Sequence, residues 1–217
     1  MRFKIIILLI LIVLLAGCIE SGVSMNGKES TIELDEIEIR EYEGERLSSA
    51  NDFRENSIKG IQRVDIEDYK LKIHGLVETP QEYLYDEVID RQTYSKVVTL
   101  NCVEGWSATI LWEGVLFEDL VEDANPLGTA NTVIFHAYDG YTSALPLDYL
   151  IDNNIMIAYK MNNMTLPEER GFPFQVVAEQ KFGYKWVKWI TEIEFTDDEN
   201  YEGFWESRGY DNDADLK

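Results

Sequence analysis

Apolar and polar positions alternate in short runs through most of the chain, and the runs divide into two periods. YKLKIHGLV (69–77), KVVTLNCV (96–103), NTVIFHAY (131–138), NIMIAYKM (154–161), FQVVAEQ (174–180) and KWVKWITEIEF (185–195) are rich in β-branched and aromatic residues, which predicts strands. PQEYLYDEVID (80–90), LFEDLVEDAN (116–125) and PLDYLIDNN (146–154) carry apolar residues at helical spacing over three turns or fewer. Strands outnumber helices, and the helices are too short to make regular crossovers throughout. The pattern therefore predicts an α+β domain with a mixed sheet in place of a doubly wound nucleotide fold. No GxGxxG or GxxxxGK[ST] loop occurs, so the common phosphate cradles are missing.

The first residues follow another pattern. MRFKIIILLILIVLLAGC places Arg2 and Lys4 before an apolar run from Ile5 to Ala16, and small residues then lead to Cys18. The run is too short for a comfortable membrane span, and Leu15-Ala16-Gly17-Cys18 has the form of a lipoprotein processing site. Residues 1–17 are expected to be a signal peptide, with Cys18 lipidated and the protein held on the outer face of the cell membrane. An uncleaved anchor helix would change the attachment and not the side. Residues 18–30 read as a flexible tether and 31–55 as an acidic arm or edge strand. One domain is expected over 56–210, followed by an acidic tail over 211–217.

Charge narrows the partners. The chain holds 19 basic and 41 acidic residues, a formal net charge of −22, and the leader contains two of the basic ones. No basic stripe is available for a phosphate backbone, so nucleic acid is excluded as a partner on electrostatic grounds. A hydrophobic content of 45% and an aromatic content of 12% are enough for a packed core, which argues against general disorder.

With Cys18 assigned to lipid, Cys102 is the remaining cysteine and has no partner within the chain. It follows Val97, Val98 and Leu100 at a strand end, where a thiol is most often a small core hydrophobe. A nucleophilic thiol would need His74 or His136 as base, and neither sits in a cysteine-hydrolase signature. One Cys and two scattered His also make no standard zinc site, although one thiolate can bind a soft metal whose other ligands come from a cofactor. Two further clusters stand out. DGYTSALP (139–146) puts hydroxyls at a strand-to-helix junction, or serves as a turn and N-cap. Arg170, Lys181, Lys185 and Lys188 gather among Gly171, Gly183 and aromatics in an otherwise acidic chain, which suits a bound anion or an ordinary lysine-bearing strand. Lys185 and Lys188, three apart, would face opposite sides of a regular strand and need a bulge or loop at 183–185 to converge.

YKLKIHGLVETP, TLNCVEGW followed by LWEGVLFEDLV, YDGYTSALPL, IAYKMNNMTLPEERGFPFQVV, FGYKWVKWITEIEF and FWESRGY occur in that order. Together they resemble the molybdopterin-binding domain of the sulfite oxidase family, from about Asn56 to Tyr210. The resemblance implies a single-domain sulfite oxidase-like fold. It also implies a molybdopterin cofactor carrying molybdenum, with tungsten as the other candidate, ligated by Cys102. Tyr141 then matches a tyrosine on the substrate side of the metal. Arg170, Lys185 and Lys188 fall where the family holds the pterin and its phosphate, Gly183 where backbone approaches closely, and Asn56 and Ser57 in a cofactor-contacting segment. Trp106 and Trp112 are expected to brace the ligand loop.

Two positions depart from the family's His-Gly-x-Pro-x-Arg: Arg170 replaces the histidine and Gln175 the arginine. Past FWESRGY the sequence offers no immunoglobulin-like or haem domain, so a separate electron-transfer protein is expected. MRFK lacks the adjacent arginines of a twin-arginine leader. The implied activity is oxygen-atom transfer on a small substrate, sulfite or an S- or N-oxide; the alternative is a cofactor-free scaffold lipoprotein that keeps the fold.

Overall fold

The computed structural model describes residues 37–216. The assignments on residues 1–36, which include the leader, Cys18, the tether and the start of the acidic arm, lie outside the described residues. Among the described residues no helix is long and apolar enough to cross a membrane.

In chain order the strands are β1 (Glu41–Tyr42), β2 (Glu45–Arg46), β3 (Leu71–Gly75), β4 (Gln81–Tyr83), β5 (Tyr94–Asn101) and β6 (Ser107–Leu116). They continue with β7 (Thr132–Ala137), β8 (Thr142–Pro146), β9 (Met156–Met161), β10 (Met164–Thr165), β11 (Gln175–Val177) and β12 (Ile190–Thr196). Three short helices intervene: α1 (Tyr85–Ile89), α2 (Phe117–Val121) and α3 (Leu147–Asp152). One sheet runs β10-β9-β6-β5, with β11 also paired to β9. A second runs β4-β3-β12-β7-β8 and contains a parallel pair, β3 with β12, among antiparallel neighbours, and β1 and β2 form a separate two-stranded sheet. This is the mixed-sheet α+β architecture that the strand-dominated pattern predicts.

Each element follows its side chains. In β3, Leu71 and Ile73 are fully buried while Lys72 is exposed, the period-two pattern of a half-covered strand. The helices begin without side-chain caps; at α1 the Glu87 carboxylate accepts the Leu84 amide at 2.8 Å. Apolar residues of both sheets and of α1–α3 form one core, in which Phe117 packs between Phe135 and Phe195.

The differences from the sequence pattern have physical reasons. β6, the longest strand, is buried on both faces over much of its length, so SATILWEGVL shows no clean alternation. β8 forms where DGYTSALP suggested a turn and cap; it pairs with β7 over five residues, and Ser143 is buried in that ladder. The expected strand 185–195 starts only at Ile190, because Gly183–Lys185 is a 3-10 turn and Trp189 has a left-handed φ of 52°.

Residues 37–55 are fastened to the body by hydrogen bonds. The Glu38 carboxylate accepts the Ala50 amide (2.6 Å), the Ser49 hydroxyl (2.8 Å) and the Asn162 side-chain amide (3.0 Å), and Ser48 donates its amide to Thr109 (2.8 Å). These bonds fasten residues 48–50 to β6 and to Asn162. At the other terminus, Phe182 donates its amide to Ala214 and Lys181 pairs with Asp215 at 2.5 Å, so the acidic segment after residue 210 is fastened beside residues 180–182.

Candidate active site

Cys102 follows β5 in the tight connection to β6. Its amide donates to the Trp106 carbonyl (2.9 Å), and the Gly105 amide donates to the Cys102 carbonyl (3.0 Å). Gly105, at a φ of 87°, takes the left-handed conformation this turn requires. Val98 and Leu100 are buried as expected, and Val97 is half-buried. The thiol itself is half-buried and unpaired. It is not a core cysteine: it lines a cavity of about 440 Å³, within the size range of small-molecule sites.

Sγ accepts the Glu104 backbone amide at 3.5 Å and lies 3.8 Å from the Asn56 side-chain nitrogen. The Glu104 carboxylate in turn accepts from Asn56 (3.4 Å) and from the Trp106 indole (3.3 Å), which ties the arm segment, the thiol turn and one aromatic wall together. Burial pushes the Cys102 thiol up, and the Glu104 carboxylate adds to that, against the Glu104 amide and Arg54. The thiol is therefore protonated at neutral pH unless a bound cation holds it as thiolate.

Seven more of the candidate residues line this cavity: Asn56, Ser57, Tyr141, Arg170, Gln175, Gly183 and Lys188. Tyr141 follows the Asp139-Gly140 turn, where the buried Asp139 accepts its amide at 2.9 Å. Its hydroxyl donates to the Tyr184 carbonyl at 2.5 Å, and burial raises its pKa well above the ordinary phenol range. Lys188 pairs with Glu55 at 2.6 Å and donates to the Glu169 carbonyl at 3.3 Å, with its ammonium over the Trp189 ring. Burial lowers its pKa, against the opposing pull of Glu55.

Lys185 is placed elsewhere. The 3-10 turn does not bring it together with Lys188; it turns Lys185 under β8, where it forms a fully buried ion pair with Glu206 at 2.7 Å and donates to the Ala144 carbonyl (3.0 Å). It does not line the cavity. Of the bracing tryptophans, Trp106 is a cavity wall facing Phe53, and Trp112 is core, donating to the Val98 carbonyl and packed on Trp186.

Residues the sequence did not single out complete the site. Phe53, Arg54 and Glu55 come from the segment expected to be only an acidic arm, and Tyr184, Trp205 and Tyr210 form an aromatic rim. The last two signals are in FGYKW and FWESRGY; nothing in residues 53–55 marks them before the chain is folded. The two histidines are remote from the thiol: His74 binds Glu192 at 2.9 Å and His136 binds Glu194 at 2.8 Å across β12, and neither lines the cavity.

Among the described residues no three His, Cys, Asp or Glu side chains assemble as a metal-binding group, so a metal at Cys102 needs most of its ligands from elsewhere. The donor set fits a metal that arrives with its own chelate: one soft thiol at the cavity, two N–H groups holding it, aromatic walls for a planar heterocycle, and Arg54, Arg170 and Lys188 in the same lining.

The oxidoreductase molybdopterin-binding domain family matches residues 58–205. The chain belongs to that family. It is 36% identical over 147 residues to an uncharacterized oxidoreductase, YuiH, of Bacillus subtilis, covering 67% of this chain and 74% of that protein. Over 150 residues it is 29% identical to a putative protein-methionine-sulfoxide reductase subunit, YedZ1, of Azospira oryzae, covering 69% of this chain and 57% of that one. Over 145 residues it is 26% identical to the protein-methionine-sulfoxide reductase catalytic subunit MsrP of Ralstonia nicotianae, covering 59% of this chain. The chain spans only 57% and 44% of the length of these last two relatives. Among solved structures, the sulfane dehydrogenase SoxCD of Paracoccus pantotrophus matches with a TM-score of 0.61 at 20% identity, over 64% of this chain and 40% of that one, which establishes a shared fold. The chain thus joins an oxidoreductase molybdopterin-binding domain to the fold it shares with SoxCD, and the family implies a molybdenum cofactor.

Proposed function

We propose that this oxidoreductase reduces a small neutral S-oxide or N-oxide, with Cys102 as the protein ligand of the cofactor metal. The observation that carries the choice of substrate is the charge around the thiol. Glu104 stands beside Sγ, and of the cations in the cavity lining Lys188 is engaged by Glu55 and Arg170 by backbone carbonyls, which leaves the exposed Arg54 as the cation set against that carboxylate. A sulfite dianion would meet a carboxylate there with a single exposed arginine to offset it, whereas a neutral oxide has no such penalty. The names of the sulfoxide-reductase relatives support the same direction.

When bound, the cofactor supplies two-electron redox chemistry and an acceptor for the oxygen atom. The protein's own part is positioning. Cys102 supplies a thiolate, and the Glu104 amide with Asn56 fixes where that sulfur points. Ser57, Gln175, Gly183 and Lys188 line the same cavity and would hold the pterin and its phosphate. Tyr141, its hydroxyl fixed on the Tyr184 carbonyl, keeps a neutral phenol at the cavity wall; Trp106, Trp205 and Tyr210 restrict water. Reduction of an S-oxide takes up two electrons and two protons and releases a sulfide and water, so an external reductant is required. A separate electron-transfer protein fills that role in this reading, and lipid attachment through Cys18 places both outside the cell.

The test is turnover with dimethyl sulfoxide or trimethylamine N-oxide under a dye reductant, against sulfite oxidation with a dye acceptor. The expected result is reduction of an oxide, abolished in Cys102→Ser with the fold retained. Sulfite oxidation with no oxide reduction would overturn the substrate assignment, and unchanged turnover in the variant would overturn the role of Cys102.

A further inference from the structure

The resemblance puts Arg170 at a cofactor-holding position, yet its guanidinium is turned toward the protein. Nε donates to the Ala50 carbonyl at 2.7 Å, Nη2 to the Phe53 carbonyl at 2.8 Å, and Nη1 to the Arg54 carbonyl at 3.2 Å. The guanidinium carbon also lies 3.9 Å from the centre of the Phe53 ring. All three nitrogens are thus engaged by one stretch of backbone, residues 50–54, and the side chain is buried.

That stretch runs directly into Asn56, whose amide contacts both Cys102 Sγ and Glu104. Between them, Glu55 is fastened to Lys188. The remaining bonds of the stretch are local or lie further back: Asp52 donates its amide to Ser49, and Ala50 donates to Glu38. From Phe53 to Asn56 the main chain has no strand or helix partner among the described residues. A planar fork with donors on three nitrogens can fix three carbonyl directions at once, here those of residues 50, 53 and 54; a lysine at this position could satisfy one or two of them at most.

We propose that Arg170 is a positioning residue. It clamps the 50–54 backbone so that Asn56 is presented to the Cys102 sulfur, and it does not act as the ligand of the cofactor's phosphate. The cavity wall formed by residues 53–57 is set by this clamp. The significance of Asn56 rests on the proposed role of Cys102 as metal ligand; the clamp itself does not.

The Arg54–Glu55 peptide bond gives a direct readout, because trypsin cleaves after an arginine only where the backbone can detach and adapt to the protease. The side chain of Arg54 is exposed while its carbonyl is held by Arg170. In cofactor-free protein, Arg170→Lys keeps the charge and loses the fork. Cleavage after Arg54 and alkylation of Cys102 by iodoacetamide should each rise about tenfold or more, the scale expected when bonds to a charged donor are lost from a locally opening segment. Phe53→Leu, which leaves Arg170 in place and removes the ring beneath it, should raise the same two rates by a smaller factor, and it serves if the first variant does not fold. Asn56→Ala should raise alkylation alone.

Unchanged cleavage after Arg54 in both Arg170→Lys and Phe53→Leu would overturn the clamp, as would cleavage in the wild type at the rate of an unfolded peptide. Loading of wild-type protein with cofactor tests the role of Cys102 separately, so failure of one reading is distinguishable from failure of the other.

Discussion

At the scale of single residues, the buried Lys185–Glu206 pair shows most clearly how the wall of the site is held. Both side chains are fully buried; Ser143 donates to the same Glu206 oxygen that pairs with Lys185, and the other Glu206 oxygen has no partner. Burial lowers the Lys185 pKa, and Glu206 opposes that shift. Glu206→Gln leaves a desolvated ammonium without its counter-charge and should cost about 3–5 kcal/mol, read as a lower urea midpoint. Tyr141→Phe removes one hydrogen bond to the Tyr184 carbonyl and should cost about 1 kcal/mol, a far smaller shift in the same assay. The sequence makes Lys185 and Lys188 look equivalent, since both are lysines among aromatics. Only the 3-10 turn at 183–185 separates them, sending one to the cavity and the other to Glu206, and a turn of three residues leaves no periodic signal. Cys102 was legible for the opposite reason: an unpaired thiol at a strand end is a local feature, and its surrounding residues carry the family pattern.

At the scale of elements, the strands around the site were legible where one face is buried and obscure where both are. β3, β5, β7, β9 and β12 fall within runs of apolar β-branched residues, whereas β6 escaped because its residues are apolar on both sides. Gly114 in β6 shows how tightly that strand meets β9: a Cβ there would lie 2.2 Å from the Ile157 carbonyl oxygen, beside the register shift between Glu113 and Gly114. Gly114→Ala should cost about 1–3 kcal/mol by overpacking, measured by the same unfolding curve. The arm that brings Asn56 to the cavity was read as an acidic extension, because the contacts that dock it are made by single polar groups scattered over distant elements. Glu38 is the hub. Burial raises its pKa, but the Ala50 amide, Asn162 and Ser49 outweigh that and hold it below the usual glutamate range. A carboxylate with a depressed folded-state pKa contributes stability above its unfolded value and loses it as pH falls through the folded one. Docking of residues 37–50 should therefore weaken below about pH 4, the ordinary glutamate range. Faster trypsin cleavage after Arg40 or Arg46 is expected in Glu38→Gln at neutral pH, and equal rates would remove Glu38 from that role.

At the scale of the whole molecule, the two sheets supply a rigid frame and the ends of the described chain supply the walls. The strand-dominated α+β architecture was readable from periodicity, but the position of residues 53–57 and of Trp205 and Tyr210 around one cavity depends on contacts far apart in sequence. A net charge of −22 makes the surface a poor match for an acidic partner, and a reductant with a basic docking face would associate faster at low ionic strength. The central claim is that Cys102 holds a molybdopterin metal. Molybdenum, tungsten and pterin measured per chain, in wild-type protein and in Cys102→Ser purified from cells with an active cofactor pathway, test it most directly. Near-stoichiometric metal and pterin in the wild type, with the metal lost from a folded variant, is the predicted result; a wild type without either, or a variant that retains the metal fully, would contradict it.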